Sequence, residues 1–278
     1  ATAGPFATGS AFYYGCRVTS GGNVVWSGWR RVQSGPLSPA VGRAVPISYT
    51  GSSEGRIDIV FIPDSNSYPA GAADLNFQSD VAAVIENAYY AQDVYLRNQD
   101  LLNFWIAQDT GTTAVVPNPG GWNDCVNTAP ANWQTAYLFA DAGALLHRPN
   151  CRDNAPTNQR FFSAEPTSVD VVVHEMGHTP FGLADEYCQS NPSLPCDGGY
   201  FPSTNIYSSQ AACLADPLAA GVAGACQQIA NASSSVGWWR LDSAATIGND
   251  LMVNNGAYKA ADTRQHDRLF AQCRAAKC

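Results

Sequence analysis

The segment Val-Val-Val-His-Glu-Met-Gly-His, 171–178, sets His174 and His178 four residues apart, with Glu175 directly after the first. On a helix, residues four apart lie one turn from each other on the same face. Two imidazoles so placed can converge on one tetrahedral ion, with metal–nitrogen distances of about 2.0–2.1 Å. Glu175 then sits beside the ion without binding it, where its carboxylate can take a proton from water. The pattern His-Glu-x-x-His therefore predicts a metal centre with its own general base. The plain alternative is two histidines hydrogen-bonded inside a buried helix, and it leaves the glutamate without a purpose.

A catalytic zinc needs a third protein ligand and an open position. After His178 the chain reads Thr-Pro-Phe-Gly-Leu-Ala-Asp-Glu-Tyr. Pro180 forbids a regular continuation of the helix and biases Thr179 away from helical geometry. Gly182 supplies a turn, and Asp185 follows it at the Gly-x-x-Asp interval. The stretch between His178 and Gly182 is one residue longer than the His-x-x-Gly interval of metzincins. Asp185 is the expected third ligand, with Glu186 as the alternative. A hydrolytic site also needs a group to stabilise the oxyanion. Tyr258 is the first candidate, followed by His266 and Tyr187. Met252 reads equally well as a core methionine or as the residue of a turn beneath the metal.

Stepping outward, Pro166, Thr167 and Asp170 form a Thr-x-x-Asp start that resembles a capping box, with the helix beginning at Ser168. Its valines are poor helix formers, so burial must stabilise it. "RIDIVFIP" (56–63) is a short, nearly continuous apolar run that predicts a buried strand. Apolar positions Phe77, Val81, Val84, Ile85, Ala88 and Tyr95 recur at helical spacing and predict one long amphipathic helix over 74–98. "NFWIAQD" (103–109) and "TAYLFAD" (135–141) read as further strands. This order predicts an α/β fold with a mixed sheet. Residues 11–33 predict a β-hairpin, and 35–46 an irregular connector. The expected division is an N-terminal hairpin region over 1–52 and a main domain over 53–278. Trp26 and Trp29 read as packing residues, with a sugar-stacking face as the alternative.

The nine cysteines suit an oxidising, extracellular setting. Candidate pairs are Cys125–Cys151, Cys188–Cys196, Cys213–Cys226 and Cys273–Cys278, with Cys16 left over. The stretch from Cys188 onward is loop-rich and expected to be held by disulfides. A net charge of −8 argues against nucleic acid and anionic membranes as partners. No apolar run approaches the roughly 20 residues of a membrane span. The opening "ATAGPFATGS" reads like a mature N-terminus after processing. Asn231-Ala-Ser is a glycosylation sequon.

"HEMGHTPFGLADEY" resembles the H-E-x-G-H…G-L-A-D-E-Y signature of the IgA-peptidase family, which are secreted, metzincin-like zinc metalloendopeptidases. More weakly, "RIDIVFIPDSNSY", "LNFQSDV" and "NFWIAQ" resemble that family's first strand, first helix and second strand. "LMVNN" around Met252 resembles its Met-turn, and "TRQHDRL" its closing helix. The resemblance spans about residues 55–275, and Pro180 and "DSNSY" depart from the family's pattern. It implies a secreted endopeptidase with one catalytic Zn2+ on His174, His178 and Asp185, Glu175 as general base, and a protein or peptide substrate. By general argument such a substrate pairs with an edge strand above the metal. Two other readings are a secreted carbohydrate- or protein-binding module with a structural zinc, and a zinc amidase acting on non-protein amides.

Overall fold

The computed structural model describes the backbone of strands at 11–14, 17–20, 23–26 and 30–33. It describes residues 43–119, 121–156, 159–187, 203–229, 238–242, 249–253, 256–276 and 278 with their side chains. The expected hairpin forms as two antiparallel pairs. β1 (Ala11–Tyr14) pairs with β4 (Arg30–Gln33), and β2 (Arg17–Ser20) pairs with β3 (Asn23–Trp26). The roles expected of Trp26, Trp29, Cys16, the Cys188–Cys196 pair and Asn231 fall outside the described residues or side chains.

The main sheet has five strands. β5 (Ala44–Ser48) and β7 (Leu102–Ala107) form one side, β6 (Ile57–Pro63) the centre, and β10 (Ala142–Leu146) and β11 (Phe161–Ala164) the other side. β6, β7, β10 and β11 are parallel, and β5 is antiparallel to β7. β6 is buried at every residue because helices cover both faces, which is why its sequence, apart from Asp58, is an apolar run and not an alternating one. Ile57, Ile59 and Phe61 face a core shared with α1 (Leu75–Val84), α4 (Val169–His178) and α6 (Ala260–Arg274). Val60 and Ile62 face the opposite layer, built on Trp133 of α3 (Trp133–Ala136), Tyr137 and Trp105. Beyond α4, β12 (Ile206–Tyr207), β13 (Gln227–Gln228) and β14 (Trp239–Arg240) make a small antiparallel sheet beside α5 (Gln210–Leu214). Disulfides join Cys125 to Cys151, Cys213 to Cys226 and Cys273 to Cys278. Among the described residues no helix is long and apolar enough to cross a membrane.

Several elements differ from the expectations. β5 lies ahead of the expected boundary at 52, yet it completes the main sheet. Its residues alternate in burial, as an edge strand covered on one face should. The long helix over 74–98 is interrupted. α1 passes into a π-turn at Ile85–Tyr89, and the chain then restarts as α2 (Asp93–Leu96). "TAYLFAD" is not a strand: α3 and a turn occupy it, and the strand begins at Ala142. The Trp133 and Tyr137 rings stack at 5.2 Å and cover the sheet, so the aromatic run packs from a turn instead of pairing as a ladder. Ser168 is the N-cap of α4 without a side-chain bond, so the Thr167–Asp170 box is not formed.

Gly143 in β10 lies directly beneath Trp133. A Cβ there would stand 2.7 Å from the indole ring and 2.9 Å from Ile62 Cδ1. Gly143→Ala is therefore expected to destabilise the protein by about 1–3 kcal/mol through overpacking, read as a lower urea midpoint with unchanged slope.

Candidate metal centre

α4 carries His174 and His178 on one face and buries Val172, Val173 and Met176 on the other. The two imidazole rings lie 5.0 Å apart, nearly perpendicular. His174 Nδ1 is 2.7 Å from Leu251 O, and His178 Nδ1 is 2.7 Å from Leu183 O. A carbonyl only accepts, so both Nδ1 atoms must donate, and in the neutral ring this directs the Nε2 lone pair into the site. Asp185 Oδ1 closes the triangle, 3.0 Å from His174 Nε2 and 3.4 Å from His178 Nε2. Three acceptors thus face one point. A proton could bridge only one of these contacts at a time, whereas a cation at the common focus satisfies all three. Around a tetrahedral ion with bonds of about 2.0–2.1 Å, donor atoms stand about 3.3 Å apart, close to the two distances from Asp185 Oδ1. Burial alone would raise the Asp185 carboxyl, but the two imidazoles beside it hold it well below the usual carboxylate range. The residues present fit a divalent cation.

The returning loop explains how Asp185 arrives. The helix stops at His178, and Gly182 takes a positive φ of 68°. Gly182 N–H donates to His178 O at 2.9 Å, and Leu183 N–H donates to Gly177 O at 2.9 Å. Asn205 then pins the loop from both sides: its Oδ1 accepts from Ala184 N–H at 3.0 Å and its Nδ2 donates to Ala184 O at 2.8 Å. Sequence reasoning missed Asn205 because a lone asparagine in a loop carries no spacing signal. Glu186, the alternative ligand, turns away from the imidazoles and accepts from Asn205 Nδ2 at 3.1 Å.

Met252 is fully buried beneath α4. Its sulfur sits so close to Gly177 that a Cβ on that glycine would fall 2.7 Å away. Met252 is therefore a core residue, and its loop packs against α4 at Gly177. The neighbouring Leu251 supplies the carbonyl that orients His174, and Met252 O accepts from Glu186 N–H at 2.9 Å.

Glu175 is buried and borders a cleft of about 840 Å³ that also contains His174, His178, Asp185 and Tyr187. Burial pushes its carboxyl up to about 8, so it can exchange a proton near neutrality. Tyr187, the third oxyanion candidate, lies with its ring 6.3 Å from that of His174. Burial, followed by the charges of Asp185 and Glu175, raises its phenol, which keeps the O–H a donor. The first candidate, Tyr258, lies elsewhere. Its hydroxyl is bonded to Val173 O and Tyr95 Oη under α4, outside the cleft. His266 belongs to the same buried cluster, with Tyr95 Oη 3.0 Å from its Nε2, and burial drops its pKa to about 3. Both lie among core groups under α4, where aromatic area is buried and the polar tips find partners.

The far wall of the cleft is the segment 150–156. Its ties include the Cys125–Cys151 disulfide, Arg152 N–H donating to Asn123 O at 2.8 Å, Cys125 N–H donating to Arg152 O at 3.1 Å, and Ser163 N–H donating to Asn154 O at 3.1 Å. That last bond occupies part of the outer edge of β11. Beneath it, His147 Nε2 lies 2.7 Å from Asp153 Oδ1. Burial opposes the charged imidazole, but Asp153 outweighs it and holds the His147 pKa above its usual value. His147, to which the sequence assigned no part, therefore braces the wall.

No family model matches the chain, and no curated protein matches it.

Asp185→Ala removes the third donor while leaving both imidazoles oriented by their carbonyls. Zinc retained by the purified protein after dialysis is expected to fall well below that of the wild type, as read by elemental analysis; unchanged content would move the third ligand elsewhere.

Proposed function

We propose that this chain is a zinc-dependent endopeptidase, metzincin-like in its site, acting on extracellular proteins or peptides. The observation that carries the reading is the convergence of His174 Nε2, His178 Nε2 and Asp185 Oδ1 on one point, beside a buried glutamate that is not part of the triangle. Two imidazoles and one carboxylate suit zinc, and three protein donors leave a coordination position open. When bound, the ion would supply Lewis acidity toward water and the scissile carbonyl.

The remaining chemistry belongs to the chain's own residues. Glu175 accepts a proton from the attacking water and later returns it to the leaving amine. Tyr187, on the cleft side of His174, presents an O–H donor to the oxyanion. The turn at Gly182 and the Met252 loop hold the ligands in place, so little reorganisation accompanies the reaction. The open cleft and its braced wall at 150–156 suit an extended polypeptide. Three disulfides among the described residues fit an oxidising, extracellular setting.

Glu175→Gln is expected to lower kcat for casein or a fluorogenic peptide by about 10²–10⁴-fold while zinc content stays at the wild-type level. Full activity in that variant would remove the general-base role, and wild-type hydrolysis that persists in chelator would remove the metal. Tyr187→Phe is expected to lower kcat by about 10²-fold with zinc retained. Tyr258→Phe should instead lower the melting temperature and leave kcat close to wild type.

A further inference from the structure

Directly behind Asp185 a second group of oxygen donors is buried. Glu186, Asp250 and Asp262 each bring a carboxylate oxygen within 4.8 Å of the others, and they are 2%, 0% and 0% exposed. Each has one oxygen satisfied by the protein. Glu186 Oε1 takes Asn205 Nδ2, Asp250 Oδ1 takes Met252 N–H at 2.7 Å, and Asp262 Oδ2 takes Lys259 N–H at 3.2 Å. The second oxygens, Glu186 Oε2, Asp250 Oδ2 and Asp262 Oδ1, have no hydrogen-bond partner. Buried carboxylate oxygens without a partner are costly, and three together repel one another. Arg240 is the nearby cation among the described residues, but its Nη1 is bonded to the Glu186 carbonyl oxygen and its Nε has no partner. Asp242, also buried, adds a further carboxylate beside Asp250. One guanidinium cannot neutralise this set.

We propose that Glu186, Asp250 and Asp262 bind a second divalent cation, of the calcium type, behind the His174–His178–Asp185 site. All the donors are oxygens, which select a hard cation. Calcium accepts six to eight oxygens in irregular arrangements, whereas magnesium demands a near-octahedral set and keeps several waters; a buried cluster drawn from three chain segments suits the former. The three segments explain what the ion would do. Glu186 follows Asp185, Asp250 leads into the Leu251 and Met252 loop that orients His174, and Asp262 stands in the first turn of α6. A cation between them would tie the third-ligand loop, the loop beneath α4 and the closing helix to one point. The inference is independent of the reaction proposed for the first site.

The test is thermal unfolding of the whole chain, stripped with chelator and reloaded with equimolar zinc, with and without calcium chloride. Calcium at about a hundredfold excess over its Kd is expected to raise the melting temperature by about 5 °C or more, and elemental analysis after desalting should find calcium beside zinc. Asp262→Asn keeps the acceptor for Lys259 N–H but removes a charge. It should unfold at or above the calcium-free wild-type temperature and lose the calcium response, and Glu186→Gln should behave likewise. His178→Ala should keep the calcium response while losing zinc, which separates this site from the first. A wild type with neither a calcium-dependent shift nor bound calcium overturns the proposal. So does a wild-type response that survives in both Asp262→Asn and Glu186→Gln.

Discussion

The Nδ1–H groups of His174 and His178 are committed to two backbone carbonyls, Leu251 O and Leu183 O, and this constraint sets the character of the whole site. With those protons engaged, each neutral ring can only turn a lone pair inward. Asp185 adds another from the returning loop. The resulting triangle of acceptors fits a positive charge at its centre, and the backbone that places Leu251 and Leu183 sets that arrangement. Neither carbonyl belongs to the ligand helix, and each sits in a loop that the surrounding packing must fix.

Those loops are held by closely interlocking contacts. Gly177 leaves room for the Met252 sulfur, which lets the loop of Leu251 approach the helix. Asn205 bridges both backbone groups of Ala184, one residue before Asp185. Glu186 links the ligand loop to Met252 through its N–H, and to Arg240 through its carbonyl. Tyr258 and Tyr95 close the underside of α4 with hydroxyls directed at Val173 O and at each other. Groups that look catalytic by type are here part of the frame, and the buried acids behind Asp185 belong to the same frame.

The cleft combines a firm floor with an independently braced wall. The floor is α4 on β11 and the central sheet, and the wall is the 150–156 segment, clamped by a disulfide, backbone bonds to β9 (Asn123–Thr128) and β11, and the His147–Asp153 pair. A wall held by covalent and ionic ties can keep its position in a loop-rich region where regular hydrogen-bond ladders are short.

The sequence by itself determined the local features. The interval from His174 to His178 placed both rings on one helical face, Pro180 and Gly182 marked where the helix stops and turns, and the run from Ile57 to Pro63 announced a strand buried on both faces. The pairs Cys213–Cys226 and Cys273–Cys278 were candidates on their separations of 13 and 5 residues. Each of these rests on bonding or steric rules that act over a few residues. Tertiary structure decided whether Tyr258, His266 or Tyr187 faces the cleft, because a tyrosine's type says nothing about which side of a helix it packs against. It brought Asp185 beside the imidazoles and turned Glu186 toward Asn205, neighbours whose side chains diverge once Asn205 and Met252 fix the loop. It also drew Ala44–Ser48 into the main sheet and turned "TAYLFAD" into a stacked aromatic corner, since strand pairing and ring packing depend on partners far away in the chain. The assembly of Glu186, Asp250 and Asp262 belongs to the same class: three acids with no common spacing meet only when the loops around α4 close.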